Sequence, residues 1–400
     1  MPSRRAFLQS LGAVAATRPT GVAAQPTDPL GVRHEFPAAT RRTYLNAAYI
    51  APVPRVVAAA GRAFVDAKAE QPIPLGEMQK AADGVRAAYA RLIGATADEI
   101  AFLYATSEGE NIVARGLGLG AGDNVVVDEL HYNTTFVLYR ELERTAGIQL
   151  RIVAARDGAV HVEDVARAVD RRTRLVSVAW VSHQNGFRHE LRPLADLAHA
   201  HGAYLYADAV QAVGMFPVDV VQADVDFMAA GTYKWLLGSF GVAPFYIRRS
   251  LLDRIPLDRH GALHVERELG DHRYAIYQSA KRFDYATPAF GPIYQLGAAL
   301  EFLRGVGVTA IESHTVALAD RLNRGLRDQG ARVLTPAGNR SSIVSFTVDP
   351  AREAARRFAA AGVDVSVRDA GRMVRVSPAL YNTAGDVDRC LEVTASLVGV

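Results

Sequence analysis

The chain has 400 residues, enough for a large core or two domains, and half of them are hydrophobic, which excludes a disordered chain. Its formal net charge of +3 is too small to indicate nucleic acid as a partner. The single cysteine, Cys390, excludes an intrachain disulfide and a metal site built on thiolates.

The N-terminus has the pattern of an export signal. Arg4 and Arg5 precede a short apolar run, Leu8–Ala16, and a motif of small residues. This order predicts a twin-arginine signal peptide over residues 1–24, a mature chain that starts near Gln25, and a periplasmic protein. The apolar run is too short for a stable membrane span. The alternatives are a frayed basic tail and a cytoplasmic protein.

Residues 75–260 alternate short apolar runs with helical patterns. Such alternation predicts a large α/β domain, in which a mostly parallel sheet lies between helices and a ligand binds beyond the carboxyl ends of the strands. The predicted strands are Val125–Asp128, Leu150–Ala154, Leu175–Val181, Ala203–Ala207, Asp226–Ala230 and Ala243–Ile247, and helices are predicted over Thr134–Thr145, Val162–Val169 and Leu194–Ala200.

The pattern changes after about residue 260. Residues 261–400 are predicted to form a smaller α+β domain, and residues 25–74 an N-terminal segment at its boundary. Its predicted helices are Ile293–Arg304, Thr309–Gln329 and Ala384–Val398, and its predicted strands are Ile343–Val348 and Met373–Ser377.

Two hydroxyl residues, Thr106 and Ser107, begin a predicted helix that follows an apolar stretch. Free backbone N–H groups and hydroxyls at a helix N-terminus form a site for a phosphate. The alternative is a capping box, because Glu110 follows Ser107 at the spacing that such a box requires.

A carboxylate and a lysine follow two of the predicted strands. Asp208 comes directly after Ala203–Ala207, and Lys234 lies between two aromatic residues after the next strand. An aldehyde cofactor with a pyridine ring needs this pair, the lysine for a Schiff base and the carboxylate to keep the ring nitrogen protonated. Gln211 lies one turn beyond, where its amide would donate to the phenolic oxygen of such a cofactor. The alternatives are a helix N-cap for Asp208 and a surface-reaching lysine at a strand end.

An arginine, Arg375, lies inside the apolar run near the C-terminus. A guanidinium in that setting indicates a bidentate clamp for a carboxylate, or else an ion pair between domains.

Together these residues resemble the class V aminotransferase family of fold-type-I pyridoxal-phosphate enzymes, which includes cysteine desulfurases, kynureninases and isopenicillin N epimerases. The resemblance extends from Tyr44-Leu45-Asn46-Ala47-Ala48 to Tyr381-Asn382-Thr383. It implies pyridoxal 5'-phosphate as the cofactor, a large sheet domain with a smaller C-terminal α+β domain, and a homodimer with shared active sites.

The resemblance also implies a role for each site residue. Lys234 would be the aldimine lysine and proton shuttle, and Asp208 the partner of the ring nitrogen. The other implied roles are phosphate binding by Thr106, Ser107, Tyr233 and the neighbouring subunit's Thr287, a contact of Gln211 with the phenolic oxygen, stacking of Tyr132 on the ring with His131 as the alternative, and substrate binding by Arg375 and Asn46.

Three departures from the family pattern affect the expected chemistry. Gly231 replaces a phosphate-binding serine or threonine, and His183 stands where many members have asparagine beside the ring, so that it would touch substrate or act as a second acid or base. The loop after Arg368 has no cysteine, whereas desulfurases use a thiol there to take up sulfur. We therefore do not expect a desulfurase that forms a persulfide.

These residues predict a pyridoxal-phosphate enzyme that acts on the amino group of an amino acid or an amine-bearing peptide. The first expectation is an aminotransferase that works through a lysine aldimine and a quinonoid carbanion. A lyase or an epimerase is the alternative, because these reactions begin from the same carbanion. A non-catalytic binding protein is the second alternative.

Overall fold

The computed structural model describes residues 28–348, 351–368 and 372–398. The predicted signal peptide, residues 1–24, lies outside the described residues and stays a prediction. The helices are α1 (Pro37–Arg41), α2 (Arg55–Glu70), α3 (Leu75–Leu92), α4 (Thr106–Gly116), α5 (Asn133–Ala146), α6 (Val162–Ala168), α7 (Leu191–Ala200), α8 (Phe290–Val306), α9 (Val308–Asp328), α10 (Ala351–Ala360) and α11 (Ala384–Val398). The strands are β1 (Thr43–Tyr44), β2 (Ile100–Leu103), β3 (Asn124–Asp128), β4 (Gln149–Val153), β5 (Thr173–Ala179), β6 (Tyr204–Asp208), β7 (Phe227–Ala229), β8 (Ala243–Ile247), β9 (Val265–Gly270), β10 (Arg273–Ile276), β11 (Val344–Thr347), β12 (Val363–Asp364), β13 (Ser366–Arg368) and β14 (Met373–Val376).

A seven-stranded sheet in the order β2-β8-β7-β6-β5-β3-β4 forms the centre of the molecule. Strands β7, β6, β5, β3 and β4 are parallel, while β8 pairs antiparallel with both β7 and β2. All six strands predicted for residues 75–260 are present, and β8 has the predicted bounds. The predicted fold class, a mostly parallel sheet between helices, is confirmed.

Both faces of this sheet are buried. Successive side chains of a strand point to opposite faces, and in these strands the residues pointing either way are mostly apolar. In β3, Val126 belongs to one hydrophobic cluster, whereas Val125 and Val127 belong to the other. Helices α3 and α8 contribute to the first cluster, and α4 and α5 contribute to the second. The strand ends that carry the candidate residues are therefore fixed by packing on two sides.

A second, antiparallel sheet in the order β11-β14-β13 lies towards the C-terminus. Its hydrophobic core combines Leu45 with residues from Leu318 onwards, whereas α8 packs against the core of the large sheet. Strand β1 pairs in parallel with β12, Thr43 opposite Val363, which joins the N-terminal segment to this C-terminal unit. The domain boundary expected at residue 261 stays a prediction.

A hairpin of two strands, β9 paired with β10, lies between β8 and α8 in the chain. All of its residues are exposed or half-buried. No helix within the described ranges is both long and apolar enough to cross a membrane. Those same ranges hold no group of three or more His, Cys, Asp and Glu side chains arranged to bind a metal ion.

Candidate active site

A cavity of about 440 Å³ lies at the carboxyl ends of β5, β6 and β7, within the size range of small-molecule sites. Ala179 and Asp208, the last residues of β5 and β6, form part of its wall. Eight of the eleven site residues predicted from the sequence line this one cavity: Thr106, Ser107, Tyr132, His183, Asp208, Gln211, Tyr233 and Lys234. The other three, Asn46, Thr287 and Arg375, do not line it.

Lys234 follows β7 and lies in the cavity wall with only 8% of its surface exposed. Its Nζ forms no hydrogen bond or ion pair with the residues that the structure describes. Burial lowers the pKa of this amine to about 8, the charge of Asp208 opposes the shift, and the charges of Arg375 and Arg368 add to it. Lys234 is therefore a partly deprotonated amine near neutral pH, unlike a lysine that extends into solvent.

Asp208 ends β6, and its Oδ1 accepts the N–H of Val210 at 3.0 Å. The residues that follow form a turn and not a helix, so the helix N-cap alternative is wrong. Gln211 also lines the cavity; its Nε2 donates to the carbonyl of Ala48 at 3.0 Å, and its Oε1 accepts from Trp235 at 2.7 Å. The amide is fixed in orientation and keeps one Nε2 hydrogen for a bound molecule.

Thr106 and Ser107 are the first two residues of α4 and line the cavity. A Cβ atom placed on Gly231 would lie 3.0 Å from Thr106 Oγ1 and 3.1 Å from the Tyr233 ring. Glycine at this position therefore keeps space open beside the helix N-terminus, where an anion is favoured.

The capping box between Ser107 and Glu110 is absent, because the Glu110 carboxylate is bonded elsewhere. It accepts from Thr135 Oγ1 at 2.8 Å and from Ser177 Oγ at 2.6 Å. His131 continues the network, with Nε2 at 3.2 Å from Ser177 Oγ. This buried polar network supports the floor of the cavity beneath α4, and it was not predicted from the sequence.

His183 lines the cavity with its ring centre 5.0 Å from that of Tyr132 and the two rings nearly perpendicular. Burial first, and then the charges of Arg368, Arg375 and Lys234, lower the pKa of His183 to about 3. His183 is thus neutral at ordinary pH and cannot supply a proton as an imidazolium.

Of the two alternatives for the aromatic residue beside the cofactor, Tyr132 and His131, only Tyr132 lines the cavity. Tyr132 faces the cavity, whereas His131 is fully buried in the network below it. The backbone N–H of Tyr132 donates to His131 Nδ1 at 2.7 Å. His131 therefore holds the segment that presents Tyr132 and does not itself reach the cavity.

Arg375 lies directly behind the cavity wall and is fully buried. Its Nη1 donates to the backbone carbonyl of His183 at 2.6 Å, and its Nη2 contacts Ser366 Oγ at 3.3 Å. Ser366 in turn donates to Asn46 Oδ1 at 2.7 Å. Within the described residues Arg375 has no carboxylate partner, so its contact with the cavity wall is a hydrogen bond to a carbonyl and not an ion pair.

Thr287 is exposed and lies at the rim of the site. Its carbonyl accepts from the hydroxyl of Tyr104, a residue that lines the cavity, at 2.6 Å. Its side chain does not contribute to the cavity of its own chain.

Comparison with known proteins agrees with this geometry. The family model of class V aminotransferases matches residues 43–390. The chain belongs to the class V aminotransferase family. It is 31% identical to a cysteine desulfurase of Klebsiella pneumoniae over 74% of this chain and 76% of the relative, and 28% identical to one of Escherichia coli over the same shares.

Solved structures show the same fold. The cysteine desulfurase of Thermococcus onnurineus superposes with a TM-score of 0.86 at 24% identity, covering 94% of this chain and all of that one. A cystine C–S lyase, solved with its product cysteine persulfide, superposes with a TM-score of 0.85 at 21% identity, covering 90% of this chain and 99% of that one.

The protein is a pyridoxal-phosphate enzyme of this family, and its residues fit the cofactor. Lys234 would hold the aldehyde carbon, Asp208 the ring nitrogen, and the N-terminus of α4 with Thr106 and Ser107 the phosphate. The space that Gly231 leaves open and the unpartnered, buried Nδ1 of His183 are both consistent with a polar ligand in the cavity.

Two functional features were not predicted from the motifs. Glu110 was considered only in the alternative capping box, although its place among the apolar residues of α4 could have indicated burial. Phe240 lines the cavity and stacks on Tyr233 with ring centres 4.5 Å apart. No sequence signal separates Phe240 from other loop aromatics.

Proposed function

We propose that this enzyme is a lyase that eliminates a sulfur leaving group from Cβ of an L-amino acid and releases it into solution. The observation that supports release of sulfur into solution is the position of Cys390 in the core of the C-terminal unit. Its thiol is fully buried, and burial raises its pKa to about 12. A thiol in that position cannot take up sulfur from a substrate in the cavity.

Transamination, the first expectation from the sequence, has less support than elimination. The relatives that match most of the chain are named cysteine desulfurases, and a structural neighbour is named a cystine C–S lyase. Both names describe cleavage of a carbon–sulfur bond. The lyase alternative therefore becomes the main proposal.

Lys234 is suited to the proton transfers that elimination requires. With a pKa near 8, its Nζ is neutral in part of the molecules and can accept the proton from substrate Cα. When bound, pyridoxal phosphate supplies an electron sink for the electron pair left at Cα. The Cβ–S bond then breaks, sulfur leaves with the bonding electrons and a proton, and hydrolysis of the released enamine gives a 2-oxo acid and ammonia.

The test is product analysis of the holoenzyme with L-cysteine, L-cystine and S-methyl-L-cysteine, without a 2-oxo acid acceptor. Elimination yields pyruvate and ammonia in equal amounts, together with one equivalent of hydrogen sulfide from L-cysteine, cysteine persulfide from L-cystine or methanethiol from S-methyl-L-cysteine, and Cys390→Ala retains that yield. Lys234→Ala serves as the inactive control. Products that form only with an added 2-oxo acid would establish transamination instead, and alanine with a protein-bound persulfide would establish a desulfurase.

A homodimer is part of this proposal. The exposed Thr287 does not line the cavity of its own chain, which leaves its side chain available to a neighbouring subunit. Analytical ultracentrifugation tests the assembly. Thr287→Ala should weaken cofactor retention in a dimer, and a monomer with full activity would exclude shared sites.

Export by the twin-arginine route to the periplasm likewise remains a proposal, supported by the order of Arg4, Arg5 and the apolar run. N-terminal sequencing of protein from the periplasmic fraction tests it. A chain that begins near Gln25 would support export, whereas an intact Met1 in that fraction would contradict signal cleavage.

A further inference from the structure

Glu110, the fifth residue of α4, is a buried carboxylate in the cavity wall. Its hydrogen-bond partners among the described residues are two hydroxyls. Ser177 of β5 donates to Oε1 at 2.6 Å, and Thr135 of α5 donates to Oε2 at 2.8 Å. A buried charge without a counter-ion costs stability, whereas an apolar side chain at such a position does not. The carboxylate therefore has a role other than filling the core.

The carboxylate of Glu110 fixes the direction of the next hydrogen bond in the network. A carboxylate only accepts, so the single proton of the Ser177 hydroxyl points to Oε1. Ser177 Oγ also lies 3.2 Å from His131 Nε2, where it can only accept because its proton is already used. Nε2 therefore carries the ring proton of His131.

The other ring nitrogen of His131 indicates the same tautomer independently. The backbone N–H of Tyr132 donates to Nδ1 at 2.7 Å, which requires an unprotonated Nδ1. Thr135 Oγ1 lies 3.1 Å from Nδ1 and shares its proton between that nitrogen and Glu110. A proton on Nδ1 would point at the N–H of Tyr132 and break this hydrogen bond. All the polar atoms of the network are thus satisfied only with the proton on Nε2.

We propose that Glu110 is a positioning residue, which sets the tautomer of His131 through Ser177 and thereby holds Tyr132 in the cavity wall. Tyr132 directly precedes α5 and is 45% exposed, so packing alone does not fix it. Its backbone hydrogen bond to His131 supplies the constraint. The inference rests on the expected contact of Tyr132 with the bound cofactor, and not on the bond that the enzyme cleaves.

The tautomer of His131 can be measured by 15N NMR of the holoenzyme labelled at its histidines. The chain has eleven histidines, and the signals of His131 are those lost in His131→Gln. We expect a protonated Nε2 and an unprotonated Nδ1. Glu110→Met frees the proton of Ser177, so the tautomer with a proton on Nδ1 should become populated. A protonated Nδ1 in the unaltered enzyme, or an unchanged tautomer in Glu110→Met, would overturn the proposal.

Ser177→Thr and Ser177→Val form a matched pair, because the two side chains have nearly the same volume and only threonine keeps the hydroxyl. Relative to Ser177→Thr, Ser177→Val should weaken the binding of pyridoxal phosphate about threefold to tenfold and change the visible circular dichroism of the bound cofactor. Ser342→Ala, which removes a buried hydroxyl outside the network, should change neither. Equal affinities and equal spectra in the matched pair would overturn the proposal.

A double-mutant cycle separates positioning from a general loss of stability. Tyr132→Ala should weaken cofactor binding by a similar factor. Adding Ser177→Val to it should weaken binding no further, because the side chain that the network positions is then absent. Additive losses would overturn the proposal, since Ser177 would then act on the cofactor by another route. None of these measurements requires turnover, so their failure is distinguishable from failure of the elimination assay.

Discussion

Arg375 Nη1 donates to the carbonyl of His183 at 2.6 Å and so joins the small sheet to the cavity wall. Arg375 lies in the central strand of that sheet, between β11 and β13. Ser345 in β11 makes a second link, since its hydroxyl donates to the carbonyl of Gln184 at 2.5 Å. Any displacement of the small sheet would therefore be transmitted to the loop that carries His183.

Lys234→Ala should abolish covalent attachment of pyridoxal phosphate and reduce turnover by about 10²- to 10⁴-fold, because it removes both the Schiff-base amine and the proton acceptor. The chain has four lysines, so the site of borohydride-trapped cofactor can be assigned by peptide mass. Lys281→Ala is the control, since Lys281 pairs with Asp83 at 3.1 Å outside the cavity. Trapped cofactor on another lysine in the unaltered enzyme would contradict the assignment.

The rate at which pyridoxal phosphate attaches to the apoenzyme should rise with pH through about 8, because only the neutral Lys234 amine reacts and burial holds its pKa near that value. Arg368→Met removes a charge that lowers this pKa, so the midpoint should move to higher pH. Stopped-flow absorbance measures both midpoints. Arg332→Met, at an exposed position of the C-terminal unit, is the control and should leave the midpoint unchanged. An equally unchanged midpoint in Arg368→Met would show that Arg368 does not affect the pKa of Lys234.

Ser177→Ala should lower the free energy of unfolding by about 1–3 kcal/mol, because it removes the hydrogen-bond partner of two buried atoms, Glu110 Oε1 and His131 Nε2. Ser342→Ala is the matched control. Ser342 is also fully buried, but its hydroxyl has no partner within the described residues, so its removal should be neutral or stabilising. Denaturant unfolding of both variants measures the difference, and equal losses would contradict a special role for the network.

Stability should fall on acidification partly because of His183. Its pKa is about 3 in the folded protein, against an ordinary value of 6.5, so between these pH values only the unfolded chain binds the proton. The free energy of unfolding should therefore fall by up to about 4 kcal/mol as the pH is lowered from 6.5 towards 3. Unfolding free energies of the holoenzyme between pH 7 and pH 4 measure the loss.

His183→Gln should reduce this dependence on pH, since glutamine has no group that titrates in that range. His161→Gln, at an exposed position, should leave the dependence unchanged. Identical slopes for the unaltered enzyme and His183→Gln would mean that another group controls acid unfolding.

Strand positions in the large sheet could be predicted because each parallel strand is a short apolar run between helical patterns. Ala243–Ile247 was predicted with its observed bounds. Its antiparallel direction was not predicted, because the sequence of a strand that is buried on both faces does not indicate the direction in which the strand runs. Ile100–Leu103 was missed for a related reason, since four buried residues without alternation resemble any apolar stretch.

The cavity residues that follow strands were predictable, because the ends of parallel strands meet at one edge of the sheet. Arg375 was expected to reach the substrate, but the structure places it behind His183. Asn46 was expected there too, and it accepts from Ser366 outside the cavity. The relative position of two separately packed sheets is a tertiary property, and residue spacing carries no information about it.

The sealed position of Cys390 also bears on where such a protein can work. A cysteine reacts with peroxide or exchanges disulfides when it is deprotonated and accessible to solvent. Cys390 is neither, because its thiol is fully buried and burial raises its pKa to about 12. With no other sulfhydryl in the sequence, the enzyme has no reactive thiol for oxidants to modify. Its activity should therefore survive in surroundings that lack any reducing agent.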